Sequence, residues 1–287
     1  MRLVSFGALG EERLGALIDG GQRIVDLNAA DGSIPPAMKP FLRGNFWERA
    51  RRVLADTSIL AGKAVVRAAD VRLGSPVTRP GQIVCVGLNY KDHADEQNVP
   101  YPKAPLLFGK SPTSAVGPND DVVYPEVVEQ LDYEVELGVV IGSVARNVAA
   151  ADFAKVVAGY CVVNDVSARC CQFGDKQWYR GKSFDTFAPF GPALVTPDEV
   201  GDPQKLKMTC KVNGELRQNS ATSNMIFGVA EIIAHITKGI TLVPGDVIAT
   251  GTPAGVGVFL KPPQLLKRGD VVELEVEKLG RIVNRIT

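Results

Sequence analysis

The sequence predicts an α+β protein, rich in strands, with a large mixed core behind a small N-terminal domain. Three observations lead there. Short apolar runs of strand type outnumber helical patterns along the 287 residues. Those runs seldom alternate with helices in βαβ order, so a doubly wound parallel sheet is not expected. The stretch Val71-Arg-Leu-Gly-Ser-Pro-Val-Thr-Arg-Pro-Gly81 repeats Pro and Gly as a boundary does. It divides the chain into an N-terminal α+β domain, 1–75, and a main domain, 76–287.

Taken in order, the first 40 residues read as short strands and turns, with runs at Leu14–Asp19 and Arg23–Leu27. From Pro40 to about Ala61 the apolar spacing becomes helical. Ile83-Val-Cys-Val-Gly-Leu88 is a buried-strand run leading into a short helix, Asn89–Glu96. Further strands are expected near Val122–Tyr124, Leu131–Ile141, Gly159–Val163, Ala193–Val195 and Lys207–Val212. Asn213-Gly214 then marks a hairpin, because both residues tolerate the positive φ of a type I′ turn. A helix near Ile226–Thr237 and strands near Asp246–Thr250 and Val271–Glu277 complete the pattern.

Bulk composition narrows the function classes. Lys+Arg and Asp+Glu stand at 32 each, so no overall field attracts nucleic acid or anionic lipid. No apolar run approaches the roughly 18 residues that span a bilayer. Neither nucleic acid nor membrane is therefore an expected partner. The N-terminus lacks the apolar segment of a secretory signal. Five cysteines without C-x-x-C spacing argue against disulfides or structural zinc and suggest a reducing cytoplasm.

Several short segments carry chemistry. In a strand, Asp132, Glu134 and Glu136 share one face, neighbours about 7 Å apart. Their hard oxygens suit Mg²⁺, Mn²⁺ or Ca²⁺, and spacing does not decide which two or three would bind. Glu273, Glu275 and Glu277 alternate identically, and an exposed strand face explains them. What separates the first set is the run Leu137-Gly-Val-Val-Ile, apolar on both faces, so the acids sit where a strand enters the core. Asp165 closes another apolar strand. His93 and Glu96 lie three apart on a helix, where a carboxylate can orient an imidazole as a base. Lys182, Arg169 and Lys110 are candidate anion contacts. The loop Ala249-Thr-Gly-Thr-Pro-Ala-Gly-Val-Gly offers hydroxyls and free N–H groups but lacks the Lys of a phosphate-binding loop. His235, in an amphipathic helix, reads as structural.

In their order, these segments resemble the fumarylacetoacetate hydrolase family. Gly87-Leu-Asn-Tyr-Lys-Asp-His-Ala-Asp-Glu is similar to its first active-site motif, and Leu131-Asp-Tyr-Glu-Val-Glu-Leu to its E-x-E metal motif. Asn164-Asp-Val-Ser-Ala-Arg, Gly181-Lys-Ser-Phe-Asp and Ala249–Gly257 are similar to the later ones. The resemblance covers roughly residues 80–287 and implies a β-sandwich-like roll, usually a homodimer. It implies Glu134, Glu136 and Asp165 as metal ligands, leaving Asp132 outside. It implies a water-activating His93–Glu96 dyad, Lys182 as a transition-state contact, and Arg169, Gln172, Lys110 and Thr252 as substrate contacts. The implied reaction is Mg²⁺-dependent hydrolysis of a C–C bond in an acylpyruvate or another small anionic 2,4-dioxo acid. The alternatives are a decarboxylase, lyase or isomerase of an oxaloacetate-like or ureidoglycolate-like 2-oxo acid on the same site. A non-catalytic, metal-stabilised protein is the remaining class.

Overall fold

The computed structural model describes residues 1–287. Its main feature is a mixed sheet of 12 strands. Across the sheet run Val65–Arg67, Arg23–Asp26, Arg13–Ile18, Arg2–Phe6, Ala188–Val195, Val157–Asn164, Val135–Ile141, Val247–Ala249, Ile83–Gly87 and Leu106–Lys110. Leu73–Gly74 and Ala115–Val116 attach beside this path. Pairing is antiparallel except where Val247–Ala249 meets Ile83–Gly87 and Ala115–Val116 meets Ala188–Val195. A second, four-stranded sheet runs Glu215–Ala221, Lys207–Val212, Val271–Val276, Gly280–Arg285. The strand-rich α+β class expected from sequence is what the chain forms.

Two cores flank the large sheet, and the strand Val135–Ile141 shows why. Leu137, Val139 and Ile141 face a core shared with Val272, Leu274 and Val276 of the second sheet and with Ile232, Ile233 and Ile236 of the helix Val229–Thr237. Val140 faces the opposite core, against Phe41, Leu42 and Val53 of the helices Met38–Gly44 and Trp47–Ala55. Every residue of that strand is buried, as the two-faced apolar run foretold. The strands of residues 1–75 extend the same sheet across the proposed boundary, with Leu3 paired to Leu194.

Local differences from the sequence reading have local causes. The helical stretch after Pro40 is three helices, broken where Asn45 turns left-handed (φ 56°) and where Asp56 leaves the helical region to cap Thr57–Leu60. Val122–Tyr124 forms no strand: Val122 and Tyr124 donate to carbonyls of the C-terminal segment, Arg285 and Thr287, through an isolated bridge. Leu131–Ile141 is two strands, Leu131–Asp132 and Val135–Ile141, with a break at Tyr133–Glu134. The hairpin at Asn213-Gly214 forms as expected, with φ 52° and 81° and Val212 paired to Glu215.

Candidate active site

The break after Asp132 sorts the acids. Asp132 does not share the direction of its neighbours. It is buried, accepts from the N–H groups of Gly257 (2.8 Å) and Val258 (3.1 Å), and pairs with Arg169 Nε at 2.9 Å. Glu134 and Glu136 turn instead toward Asp165, which follows the strand Val157–Asn164. Backbone contacts fix the junction: Asp165 N–H donates to the Glu134 carbonyl at 3.0 Å, and Glu134 N–H to Asn164 Oδ1 at 3.2 Å. Carboxylate oxygens of Glu134, Glu136 and Asp165 lie within 4.8 Å of one another, all buried.

Three buried cations face these acids. Lys182 Nζ lies 2.8 Å from both Glu134 Oε2 and Asp165 Oδ2. Lys110 Nζ lies 2.5 Å from Asp165 Oδ1 and donates to the Val166 carbonyl at 3.1 Å. Arg169 spans Asp132 and Glu134, each at 2.8 Å. Four buried carboxylates thus meet three cations, and Glu136 is the one without an ion pair of its own. Its Oε2 accepts a single N–H, from Gly251 at 2.8 Å. That approach needs glycine: φ is 100°, and a Cβ would stand 2.8 Å from the Asn89 Cβ and 2.9 Å from the Val86 carbonyl.

The charge states follow. Burial pushes Glu136 well above the usual carboxylate range, and repulsion from Asp165 and Glu134 adds to it. Burial would also raise Glu134, yet Lys182 and Arg169 outweigh it and hold that carboxyl at about 2. Burial would lower Lys182, but Asp165 and Glu134 raise it, so it stays an ammonium. Three converging hard oxygens, one of them on a carboxyl that no protein cation pairs, fit a divalent cation of the Mg²⁺ class. The donor set holds no thiolate or imidazole, which disfavours zinc.

The helix Lys91–Glu96 presents His93 to the same space. Its Nδ1 lies 2.6 Å from Glu96 Oε1, and Glu96 Oε2 accepts from Gly255 N–H at 3.0 Å. With the carboxylate as acceptor, Nδ1 carries the proton and Nε2 is the basic nitrogen. Gln97 Nε2 sits 3.0 Å from that Nε2. Asp92, accepting from Ser220 Oγ at 2.6 Å, anchors the helix to the second sheet.

One cavity of about 210 Å³ joins these pieces, lined by His93, Glu134, Glu136, Arg169, Gln172, Lys182 and Thr252. Asp165 lies just behind its wall. Lys110 is placed elsewhere: its ammonium is held by Asp165, and its side chain does not line the cavity. Gln172 is engaged by Arg169 Nη1 at 2.9 Å. Sequence reading missed Gln97, although its one-turn spacing from His93 was visible. It also missed the aromatic wall of Phe108, Trp178 and Phe259, whose members come from distant segments. Phe108 and Trp178 meet edge to face at 5.2 Å, and Lys182 Nζ stands 5.2 Å from the Phe108 ring centre.

A strand-rich fold that gathers a buried carboxylate triad and a His–Glu pair beside one cavity is that of an enzyme whose site could hold a divalent cation. Residues 82–287 match the family described as fumarylacetoacetate (FAA) hydrolase, C-terminal. The chain belongs to the fumarylacetoacetate hydrolase family. It is 47% identical over 290 residues to the human protein named oxaloacetate tautomerase FAHD2A, mitochondrial, covering 100% of this chain and 91% of that one. Among solved structures it is similar to a fumarylacetoacetate hydrolase from Exiguobacterium antarcticum (36% identity, TM-score 0.87, 100% and 99% coverage). It is also similar to maleylpyruvate hydrolase from Sphingobium (33% identity, TM-score 0.82, 100% and 99% coverage). These names correct one expectation. The reduced cysteines suggested the cytoplasm, but the human relative and its cattle counterparts are named mitochondrial. Thiol state separates oxidising from reducing compartments and does not tell one reducing compartment from another.

Proposed function

We propose that this chain moves a proton within a compact 2-oxo dicarboxylate of the oxaloacetate type, interconverting its enol and keto forms. The observation that carries the reading is the shared cavity: a base, Nε2 of His93, and the triad Glu134, Glu136 and Asp165 line or back the same 210 Å³ space. The space is below the roughly 300–1,000 Å³ of drug-sized pockets, which suits a compact acid. The relatives named oxaloacetate tautomerase, 46–47% identical over the whole chain, favour tautomerisation among the reactions open to such a site.

A divalent cation held by Glu134, Glu136 and Asp165 would supply Lewis acidity at the 2-oxo group. The chain's own residues do the rest. Gln97 releases His93 Nε2, which takes the enol hydroxyl proton and returns it to C3, so no atom is gained or lost. Glu96, accepting from Nδ1, steadies the imidazolium between the two transfers. Lys182 places positive charge beside the enolate oxygen. Phe108, Trp178 and Phe259 exclude water from the reacting carbon. Arg169 and Gln172 brace the wall that carries Glu134. We propose a homodimer as the working form, as the family resemblance implies; light scattering gives its mass.

The test follows the ultraviolet absorbance of enol-oxaloacetate with Mg²⁺ or Mn²⁺, with and without chelator. His93→Ala is expected to lower kcat by roughly 10²–10⁴-fold, the usual contribution of a general base, with KM little changed. Full activity in His93→Ala would sink the assignment. The second reading, hydrolysis of a 2,4-dioxo acid by water activated at the same dyad, is favoured by the likeness to maleylpyruvate hydrolase. It predicts cleavage products from an acylpyruvate panel. Metal-dependent CO₂ release that survives His93→Ala would point instead to decarboxylation.

A further inference from the structure

The Thr252 hydroxyl lines the cavity, and what sets its polarity is a buried glutamine on the other sheet. Gln218 belongs to the edge strand Glu215–Ala221 and is fully buried. The pairing of that strand slips at this point, Lys211 opposite Leu216 but Cys210 opposite Gln218, so Arg217 is the extra residue of a bulge. Bulges re-aim side chains, and here the aimed side chain is Gln218.

Three contacts fix its amide. Gln218 Oε1 accepts from Val135 N–H at 2.9 Å, and Nε2 donates to the Pro253 carbonyl at 2.9 Å. A backbone N–H can only donate and a carbonyl can only accept, so the amide cannot be flipped. Nε2 also lies 2.8 Å from Thr252 Oγ1. That nitrogen donates, so the Thr252 oxygen must accept there. The hydroxyl proton has no other protein partner, and the group is nearly buried on the cavity wall.

We infer that Gln218 is a positioning residue: it commits the Thr252 hydroxyl to donate into the cavity, toward an anionic oxygen of the substrate. The relay runs from Val135 N–H, beside Glu134 and Glu136, through Gln218 to Thr252. This selects carboxylate or enolate oxygen over any donor group at that point. It rests on the reading of the cavity as a 2-oxo acid site.

Three variants and a binding probe test it. Oxalate, a planar dianion shaped like the 2-oxo carboxylate, is titrated calorimetrically into the Mg²⁺-loaded protein, and enol-oxaloacetate turnover is measured in parallel. Gln218→Glu keeps the acceptor for Val135 but replaces the amide nitrogen by an oxygen that no longer donates to the Pro253 carbonyl and, when ionised, can only accept from Thr252, so the hydroxyl must donate back to it. Oxalate affinity is expected to fall roughly 10- to 100-fold, the scale of a hydrogen bond to a charged group. Lowering the pH should recover part of the loss as the introduced carboxylate takes up a proton, a response absent from Gln218→Leu. In a Thr252→Val background, Gln218→Glu should add no further loss. An undiminished additional loss in that background, or pH-independent weakening, overturns the inference. Wild type that binds oxalate yet turns over no enol-oxaloacetate would refute the proposed function and leave the relay standing.

Discussion

Two stretches of this chain share one acidic alternation and have opposite fates. Glu273 and Glu275 stand on Val271–Val276, where Val272, Leu274 and Val276 fill the core and the acids look outward. Glu273 finds Lys211 at 3.5 Å and Arg281 at 3.1 Å on the surface, and water screens the rest. Glu134 and Glu136 stand at the entry of a strand buried on both faces, and little water screens them. Alternation therefore specifies only that acids share a face for as long as the strand runs unbroken. Whether that face is wet is decided by the residues next along the chain: an apolar run with two buried faces after Glu136, a turn after Glu277. Buried like charges demand cations, and the fold answers with Lys110, Arg169 and Lys182 but stops one short.

The sharpest way to break this contrast is to make the same substitution in both stretches. Glu136→Gln should lower kcat/KM roughly 10³-fold, since several kcal/mol of charge stabilisation depends on the metal site. Isothermal titration should show weakened Mg²⁺ binding. Glu275→Gln should leave both within error; comparable losses in the two variants would dissolve the distinction. Next in size is stability without metal. Without metal, folding must either bury the Glu136 charge or take up a proton to neutralise it, so Glu136→Gln should melt higher than wild type in chelator, on the order of 2 °C for each kcal/mol relieved in a protein of this size. Added Mg²⁺ should raise the wild-type midpoint by ligand linkage and the variant's much less. A chelated variant that melts lower than wild type would mean that Glu136 is already compensated.

The parts of the site legible in the sequence were those held within one element or marked by order along the chain. The His93–Glu96 contact needs only helical spacing, and the fold brings the pair to 2.6 Å. Burial of Glu136 followed from the two-faced run behind it. Asp132 was harder, because spacing placed it with Glu134 and Glu136 on one face. The break at Tyr133–Glu134 turns it toward Gly257 and Arg169, and nothing in the local pattern announces that break. The partners of Gln218 and Gly251 were illegible for a related reason, although the loop that carries Gly251 was already marked by its free N–H groups. Each acts through a partner more than 80 residues away, Val135 and Glu136 respectively, so their roles exist only once the sheets pair. Lys110 was a candidate anion contact by residue type and a substrate contact only by the family resemblance; its placement against Asp165 likewise appears only in the fold.

The smallest expected effect lies on the wet side of the comparison. Glu273 is about a quarter exposed, and its partners Lys211 and Arg281 are more so. Solvent screening limits such a pair to at most about 1 kcal/mol, and cross-strand placement adds little beyond that. Glu273→Gln should therefore lower stability by under about 1 kcal/mol at low salt, read from urea midpoints. The difference should shrink further in about 1 M salt, where the screening length falls to roughly 3 Å. The buried cluster should respond far less, because Lys182 and Glu134 are in direct contact at 2.8 Å and nearly out of solvent, where bulk salt screens little. A salt-insensitive loss at Glu273 would mean that this strand face is drier than its exposure indicates, and that alternation alone carries more information than the two stretches now allow.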